Sequence, residues 1–410
     1  MIAGRRSAVL LVGPLFLALL AGFVAPIGAF LWRAVADEEV AVVLPRSLRV
    51  LARWDGGAVP EAAFTALAED LREARARDLE TGAGSVARAA ARLNDAVPGL
   101  RSLLPATARR VATPGVPTPG VAIPGVATPG DDRARILAAS ESWGHPVPWA
   151  AIRAAAGPVT DLHLLAGFDL RRDATGDIVQ QPENQRIFRA VILRTLSIAG
   201  MATVLCLALG YPLAWLIATA PPRAVPWLLG AVLLPFWTSL IVRTAAWMVL
   251  LQREGVVNAA LLRLGVLEAP LPLLFNRFAV LVAMVHILLP FMVLPILASL
   301  REIDPHLARA AASLGAGPAR VFRRVVLPLS LPGVGAGCLL VFVQALGFYV
   351  TPALLGGPDD QMLSWFIGFY ANRTVNWGMA AALSLLLLGA VALLVGVYGK
   401  LVGFDRVRTA

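Results

Sequence analysis

The sequence predicts an all-α polytopic membrane protein with six transmembrane helices, a cytoplasmic loop that contains short helices, and a large external insert that is partly helical and partly flexible. The composition is the first observation: 58% of the 410 residues are hydrophobic, 15% are charged, and the mean hydropathy is +0.72. The second is a series of apolar runs long enough to cross a bilayer, which takes about 20 residues in a helix. The third is a charged stretch, residues 37–186, that contains no such run.

The net charge of +10 is explained by the membrane rather than by nucleic acid. The chain has 36 Lys and Arg residues against 26 Asp and Glu, but the arginines are scattered or flank the apolar runs. We therefore predict no nucleic-acid partner. Cys206 and Cys338 both fall within apolar runs, so they predict neither a disulfide framework nor a metal site. Lys400 is the only lysine and does not fit the G-x-x-x-x-G-K-[ST] phosphate loop, so any ATP that drives this protein must be bound by another chain.

Residues 1–36 are predicted to contain the first transmembrane helix. A pair of arginines precedes the apolar run 7–31. This run exceeds the roughly 7–15 residues of a signal-peptide core, which favours an uncleaved helix. The sequence A-V-A at 34–36 resembles a signal-peptidase site, so a cleaved signal peptide remains the alternative.

Residues 37–186 form the predicted external insert. Apolar positions at helical spacing predict helices at 60–71 and at 85–93. Residues 113–130, TPGVPTPGVAIPGVATPG, repeat a Pro-Gly turn and predict a flexible tether. Part of the insert should be packed, because it contains tryptophans and an apolar cluster: Trp143, Trp149 and residues 162–168. The alternative is a poorly ordered expansion with no binding role.

The core, residues 187–410, is predicted to contain five further spans. They are the remaining long apolar runs: 188–218, 226–251, 278–300, 333–355 and 378–402. The Lys and Arg residues of the short loops predict the orientation. With both termini in the cytoplasm, eleven of these residues lie on the cytoplasmic side and four on the opposite side. This orientation puts the insert outside and the loop 301–332 in the cytoplasm.

The loop 301–332 is predicted to contain two short helices. Asp304 is a good N-cap, and the helix that it starts should end at Gly315, which favours the left-handed conformation of a C-cap. Gly317-Pro318 should start a second helix. Two later Leu-Pro pairs should end this second helix at the membrane surface: Leu327-Pro328 and Leu331-Pro332. An ordered, basic pair of helices between two spans predicts a docking element.

The spacing within this loop resembles a known signature. Arg309-Ala310-Ala311, three residues, Gly315, nine residues and Val325-Val326-Leu327-Pro328 match E-A-A-x3-G-x9-I-x-L-P. This is the cytoplasmic-loop signature, or EAA motif, of the membrane subunits of bacterial ABC importers. Further blocks resemble the spermidine/putrescine-type permease family of these importers: residues 195–214, 234–237, 243–247, 255–258, 289–295 and 349–357.

The resemblance implies a permease subunit in the bacterial inner membrane, with no catalytic residue, metal or cofactor of its own. It implies three kinds of partner: cytoplasmic ABC ATPase subunits that bind the ATP, a periplasmic solute-binding protein, and a second permease, which is either a sister subunit or a second copy. The transported solute would be a small organic molecule, polyamine-like or related.

The resemblance also implies which residues meet the ATPase. In the family, the Ala-Ala-x3-Gly helix lies in a cleft of the ATPase and acts as a coupling helix. The matching residues here are Arg309, Ala310, Ala311, Leu314, Gly315, Phe322, Leu327 and Pro328. The alanines allow a close approach, Gly315 allows a sharp bend, and Leu314 and Phe322 are predicted to anchor in a pocket. Arg309 departs from the signature, in which the family often has glutamate, and requires an acidic or neutral ATPase surface.

Four residues in the spans are candidates for the solute pathway: Arg243, Trp237, Trp247 and Tyr349. Arg243 is an ionisable residue within a span, which favours a functional role, but its side chain can also reach the outer interface. Aromatic residues in spans are more often interface anchors. The predicted span cores contain no Asp or Glu, so they offer no carboxylate to a polyamine.

Two alternatives from other classes remain open. A secondary transporter would need buried acidic or histidine relay residues, and His286 is the only candidate. A membrane anchor for the external insert would not need a capped pair of helices in the cytoplasm. An enzyme is disfavoured, because the core has no catalytic constellation, and His145 and His163 of the insert lack partners.

Overall fold

The computed structural model describes residues 13–36, 38–112, 132–155, 157–172 and 177–402. Contacts divide the chain into two compact units. The first contains the residues up to Arg186 together with Trp377–Ala382, and the second contains Ile187–Asn376 and the residues from Leu383 onward. The predicted Pro-Gly tether at 113–130 lies outside the described residues.

Helices dominate both units, which confirms the all-α fold class. Among the described residues, five helices are long and apolar enough to cross a membrane: Gly13–Trp32, Glu183–Thr219, Arg277–Glu302, Pro318–Leu346 and Trp377–Lys400. A sixth span is obtained if one bent pair of helices, Val225–Trp237 and Leu240–Arg263, is counted as a single span. The six predicted spans therefore agree in number with the structure when the bent pair is included.

The insert consists of short and medium-length helices followed by a hairpin. The helices are Glu39–Val43, Pro45–Leu51, Glu61–Thr81, Ser85–Ala96, Leu100–Ala112, Asp132–Ala139, Pro146–Ala154 and Leu162–Gly167. The strands Leu170–Arg172 and Ile178–Gln180 pair antiparallel. The predicted helices at 60–71 and 85–93 are confirmed, and both extend further toward the C-terminus than the apolar periodicity predicts.

A hydrophobic core orders the insert. Trp143 and Trp149 are fully buried, and their rings meet edge to face with centroids 5.2 Å apart. Trp143 Nε1 donates to Thr107 Oγ1 at 2.9 Å, and Trp149 Nε1 donates to the carbonyl oxygen of Trp143 at 2.9 Å. Phe64 packs on Trp149 at 4.9 Å. The predicted packing of the two tryptophans is confirmed, and the described part of the insert is not the poorly ordered expansion of the alternative prediction.

A buried carboxylate joins two helices of the insert. The side chain of Asp70 accepts hydrogen bonds from the backbone N–H groups of Arg46 at 3.0 Å and Ser47 at 2.8 Å, and from Ser47 Oγ at 2.8 Å. These N–H groups belong to the first turn of the helix Pro45–Leu51, where no intrahelical acceptor exists. Asp70 therefore caps a neighbouring helix from a position far along the chain.

Within the first unit, the end of the first long helix packs against the beginning of the last one. Ala34 is fully buried with Ala381 and Ala382. The rings of Phe30 and Trp377 meet edge to face at 6.3 Å. Small side chains allow this close approach of helix backbones.

Three long helices form the centre of the second unit. They are the second span (Phe188–Thr219), the fourth span (Arg277–Glu302) and the main helix of the fifth span (Leu327–Leu346). Met292 of the fourth span lies against glycines of both neighbours: a Cβ added at Gly210 or at Gly337 would lie 2.9 Å from its side chain. The predicted spans at 188–218, 278–300 and 378–402 are confirmed.

The third span is broken, so the prediction of one continuous helix at 226–251 is wrong. The helix Val225–Leu233 is followed by a 3-10 turn at Leu234–Trp237 and by a second helix, Leu240–Leu251. Pro235 lacks the N–H that a helix requires, and Thr238 then adopts an extended conformation. The two halves, the second of which continues to Arg263, are bent by 100°.

The fifth span is displaced from its prediction at 333–355. The long helix begins at Pro318 and ends at Leu346, where Gly347 is its C-cap. Two shorter helices follow it, Val350–Leu355 and Leu363–Asn372, before the last helix, Trp377–Val402. The apolar run continued beyond the end of the helix, so hydropathy placed the span too far toward the C-terminus.

Candidate functional site

The helix Pro305–Ser313, which we name the loop helix, is shaped by local capping. Asp304 Oδ1 accepts a hydrogen bond from a backbone N–H of the first turn at 2.8 Å. At the other end Gly315 adopts the left-handed conformation with φ of +83°, and the N–H of Ala316 reaches back to the carbonyl of Ala311 at 3.1 Å. The predicted start and end of this helix are confirmed.

An apolar stripe runs along the loop helix and its C-cap, and most of it is exposed. Its members recur at the spacing of one helical face: Leu307, Ala310, Ala311 and Leu314. No residue of the loop helix is buried, and Leu314 is 90% exposed. A leucine at this exposure gains almost no hydrophobic stabilisation from the folding of the chain. The stripe is therefore typical of an interaction surface.

Basic side chains surround the apolar stripe. Arg309 is exposed, and among the described residues its Nε donates only to the carbonyl of Pro305, at 3.4 Å. Within the part of the chain that the structure describes, no carboxylate forms an ion pair with Arg309. Arg320, Arg323 and Arg324 are also exposed, so the whole loop presents positive charge.

The second half of the loop continues into the fifth span, so the prediction that two Leu-Pro pairs end it is wrong. The helix that starts at Pro318 passes through a π turn at Phe322–Val326. A proline in an α-helix clashes with the carbonyl four residues before it. In the wider π turn the N–H of Leu327 bonds to the carbonyl of Phe322, which makes room for Pro328 without ending the helix.

Phe322 is half-buried and packs against rings of its own chain, and its anchoring in a pocket of the ATPase stays a prediction. Its ring meets Trp215 edge to face at 5.3 Å and Tyr211 at 5.9 Å, and both of these residues belong to the second span. Leu327 is half-buried on the fifth span, whereas Pro328 is exposed. The exposed members of the predicted coupling set therefore lie mainly on the loop helix and its C-cap, with Pro328 in addition.

The four predicted pathway residues have different surroundings. Arg243 lies one turn into the second half of the broken span, and its Nε is buried without a hydrogen-bond partner among the described residues. Trp247 Nε1, one turn further on, donates to His286 Nδ1 at 3.2 Å. Trp237 is 87% exposed and Tyr349 is 46% exposed. The partnership of Trp247 with His286 joins two spans and has no signal in the sequence.

A polar clamp lies at the N-terminal end of the fourth span, and this end is the one remote from the loop 301–332. Sequence reasoning missed this clamp. Arg277 Nε donates to Asp360 Oδ1 at 3.0 Å. The guanidinium of Arg194 donates to the carbonyls of Pro358 at 3.4 Å and Gln361 at 3.3 Å. These contacts tie the turn before the helix Leu363–Asn372 to two spans. Arginines near the ends of apolar runs are the available signal in the sequence, but this pattern predicts only membrane-flanking charge.

The described residues contain no group of three or more His, Cys, Asp or Glu side chains that could hold a metal ion. Cys206 and Cys338 are both free thiols.

Residues 186–402 match a protein family described as the binding-protein-dependent transport system inner membrane component. The chain is 37% identical over 214 residues to the spermidine/putrescine transport system permease protein PotB of Escherichia coli K12, a match that covers 52% of this chain and 78% of that protein. It is 38% identical over 212 residues to PotB of Haemophilus influenzae, with 52% and 74% covered. It is 31% identical over 250 residues to the molybdenum transport system permease protein ModB of Mycobacterium bovis, with 60% and 91% covered.

Among solved structures, a bacterial ABC transporter involved in the import of the acidic polysaccharide alginate is similar, with a TM-score of 0.47 and 20% identity over 54% of this chain and 79% of that chain.

The family match spans more than half of the chain. The relatives are transport subunits rather than enzymes, and neither a secondary transporter nor a membrane anchor is favoured by these matches. The chain belongs to the binding-protein-dependent transport system inner membrane component family, as a multi-pass permease subunit of an ABC importer of the spermidine/putrescine type.

Proposed function

We propose that this permease subunit moves a small organic solute, polyamine-like or related, and that a separate ATPase chain drives the transport by docking on the loop 301–332. The observation that supports docking is the exposed apolar stripe of the loop helix. The helix is capped by its own residues, so its shape needs no partner. Its stripe, in contrast, is mostly exposed in the described chain, and Leu314 is 90% exposed.

The chemistry of the stripe fits a groove on the ATPase. An amphipathic helix binds such a groove through apolar residues at the spacing i, i+3, i+4 and i+7, which is the spacing here. Ala310 and Ala311 leave the middle of the face flat, so that the partner can approach the backbone, while Leu307 and Leu314 fill pockets at either end. Arg309 lies beside the stripe and calls for an acidic or neutral rim on the ATPase.

The proposed orientation has both termini in the cytoplasm of a bacterium and the insert in the periplasm. The excess of Lys and Arg in the short loops on one side supports this orientation, with eleven residues against four. The loop helix then faces the compartment that contains ATP. The insert faces the compartment in which a periplasmic solute-binding protein would deliver its cargo.

The proposed solute class rests on the relatives. PotB proteins are named for spermidine and putrescine, and their identity to this chain exceeds that of ModB, which is named for molybdenum. Exposed aromatic rings such as Trp237 and Tyr349 offer their faces to ammonium groups, which supports a place for them on the pathway. Trp247 would line the same pathway. Arg243 has the same charge as a polyamine, so we assign it to contact with the binding protein.

We further propose that a second permease, a sister subunit or a second copy, completes the pathway. The second half of the broken third span supports this, because several large apolar residues there are exposed: Ile241, Val242, Val249 and Val256. Lipid or a second permease would cover such a surface.

Co-purification of the ATPase tests the docking proposal. Tagged permease, expressed together with the ATPase subunit of its own transporter, should retain the ATPase after gentle solubilisation. Leu314→Asp should reduce the retained ATPase by at least about tenfold, because a carboxylate would be buried in an apolar pocket. Leu79→Asp is the matched control: Leu79 is 76% exposed on the insert, and its replacement should leave retention unchanged. Equal retention by the two variants, or no ATPase with the unaltered chain, would contradict the proposal.

A further inference from the structure

We propose that Phe322, Tyr211 and Ser330 form a relay that transmits displacement of the loop helix to the second span. This inference rests on the proposed docking of an ATPase on the loop, and it concerns the step after docking. Three observations carry it: the loop helix has no buried residue, Phe322 is held between rings of the second span, and a π turn that begins at Phe322 precedes Ser330.

No residue of the loop helix is buried, and only Ala308 and Ala311 are half-buried, so the helix is held mainly through the segments that flank it. A force applied by a docked partner must therefore leave the loop helix through the segments that flank it. On the C-terminal side, the short helix Pro318–Val321 has no buried residue either. The aromatic contact at Phe322 follows immediately after it, so a displacement that travels this way reaches the core at Phe322.

Phe322 fits into a cleft formed by two rings of the second span. Tyr211 and Trp215 are one helical turn apart, and both meet Phe322 edge to face, with interplanar angles of 84° and 89°. Edge-to-face contacts have a preferred geometry, so a ring clamped between two others resists sliding better than an aliphatic side chain of similar size. Movement of Phe322 is thus passed to the second span rather than absorbed at the contact.

Because of the π turn, transmission to the second span requires a second contact beyond the turn, in addition to the one at Phe322. A π turn is a local change of hydrogen-bond register, and it can shift more easily than a regular helix. Ser330 lies just beyond the turn and is fully buried, and its Oγ is 3.0 Å from Tyr211 Oη. Tyr211 therefore holds the fifth span on both sides of the turn. A change of register at the turn must move Tyr211, and with it the second span.

The number of solute molecules transported per ATP hydrolysed tests the relay. The complete transporter, with its ATPase and binding protein, would be reconstituted in proteoliposomes. Phe322→Ala should lower this ratio by about tenfold, within the range of allosteric coupling, while the ATPase still co-purifies. Phe322→Tyr retains the clamped ring and should restore most of the ratio. Tyr211→Phe keeps the ring but removes the hydroxyl, and should give an intermediate ratio.

Leu329→Ala provides the matched control, because Leu329 lies on the same helix and is 45% exposed. A role in packing alone would change stability and yield but would leave the transport ratio of the assembled complex unchanged. An unchanged ratio in both Phe322→Ala and Tyr211→Phe would overturn the relay and leave the docking proposal standing. Loss of ATPase binding in Phe322→Ala would overturn it in favour of direct docking. If Phe322→Ala fails to fold, Tyr211→Phe and Ser330→Ala decide the question, since each removes one hydroxyl.

Discussion

Arg309 carries a positive charge where the importer signature often has glutamate, and we expect this single residue to make the proposed docking surface specific. It is exposed and forms no ion pair among the described residues, so its charge is available to a partner. We expect Arg309→Glu to reduce co-purification of the chain's own ATPase by about tenfold at low ionic strength, because a favourable charge pairing becomes a repulsion. The effect should shrink in 1 M salt, where the Debye length is about 3 Å.

The control for this charge reversal is Arg101→Glu, which changes the net charge equally at an exposed position of the insert. If Arg309→Glu binds the ATPase as well as the unaltered chain does, or better, the ATPase surface opposite it is not acidic. The departure from the signature would then have no role in partner choice.

Single residues were predictable where their effect is local. Asp304 and Gly315 act on backbone groups within a turn of themselves, so the sequence was sufficient to place both ends of the loop helix. The ring contacts of Phe322 were not predictable, because the rings that hold it belong to another span. No local rule connects residues so far apart in the chain.

At the scale of elements, hydropathy located the spans but not their continuity. The break at Pro235 and the π turn before Pro328 both involve proline within apolar sequence, yet one ends a helix and the other does not. At Pro328 the π register leaves space for the proline ring, whereas after Pro235 the chain leaves the helical conformation at Thr238. A sequence pattern reports composition and periodicity, and it does not report this register.

Close packing of the fourth and fifth spans predicts that a larger side chain between them lowers the stability of the protein. A Cβ added at Gly333 would lie 2.5 Å from Ser299 Cβ and 2.6 Å from the carbonyl oxygen of Pro295, so Gly333→Ala must separate the two helices. We expect a loss of about 1–3 kcal/mol of stability, measured as a lower thermal-unfolding midpoint of the solubilised protein. Gly200→Ala is the control, because a Cβ at Gly200 meets nothing within 4 Å. Equal midpoints for the two variants would show that the helices are not in close contact.

The insert should lose stability in acid because of His163. This side chain is 5% exposed, and its burial, followed by the nearby charge of Arg92, lowers its pKa to about 3. In the unfolded chain the pKa of histidine is near 6.5, so between these values the unfolded state binds a proton that the folded state does not. The free energy of unfolding should therefore fall as the pH drops below 6.5, by at most about 1.4 kcal/mol per pH unit, and should not depend on His163 above that pH.

Hydrogen exchange of the segment 162–167 at pH 7.5 and pH 4.5, corrected for intrinsic rates, measures this dependence in the full chain. His163→Gln should remove the part of the acid effect that the unaltered chain shows. His145→Gln is the control, because His145 is exposed and belongs to the same unit. An acid effect that is the same in all three proteins would exclude His163 as its source.

At the scale of the whole molecule, the two units differ in how far the sequence determines them. The second unit coincides largely with the family match at 186–402, and its motifs could be read from the chain alone. The insert lies outside that match, and only its helices and its two tryptophans were predictable. Its core depends on tertiary contacts such as the cap that Asp70 provides to another helix.

The proposed orientation predicts from which side of the membrane the insert and the loop helix can be labelled. Leu79 on the insert and Leu314 on the loop are 76% and 90% exposed, so cysteines introduced there would be accessible from water. Cys206 is buried and Cys338 is half-buried, and the unaltered chain measures their background. A membrane-impermeant maleimide added to spheroplasts should label Leu79→Cys and leave Leu314→Cys unlabelled, and inverted membrane vesicles should show the reverse. The opposite pattern would place the loop helix away from ATP, and docking of the ATPase on that helix would then be ruled out together with the orientation.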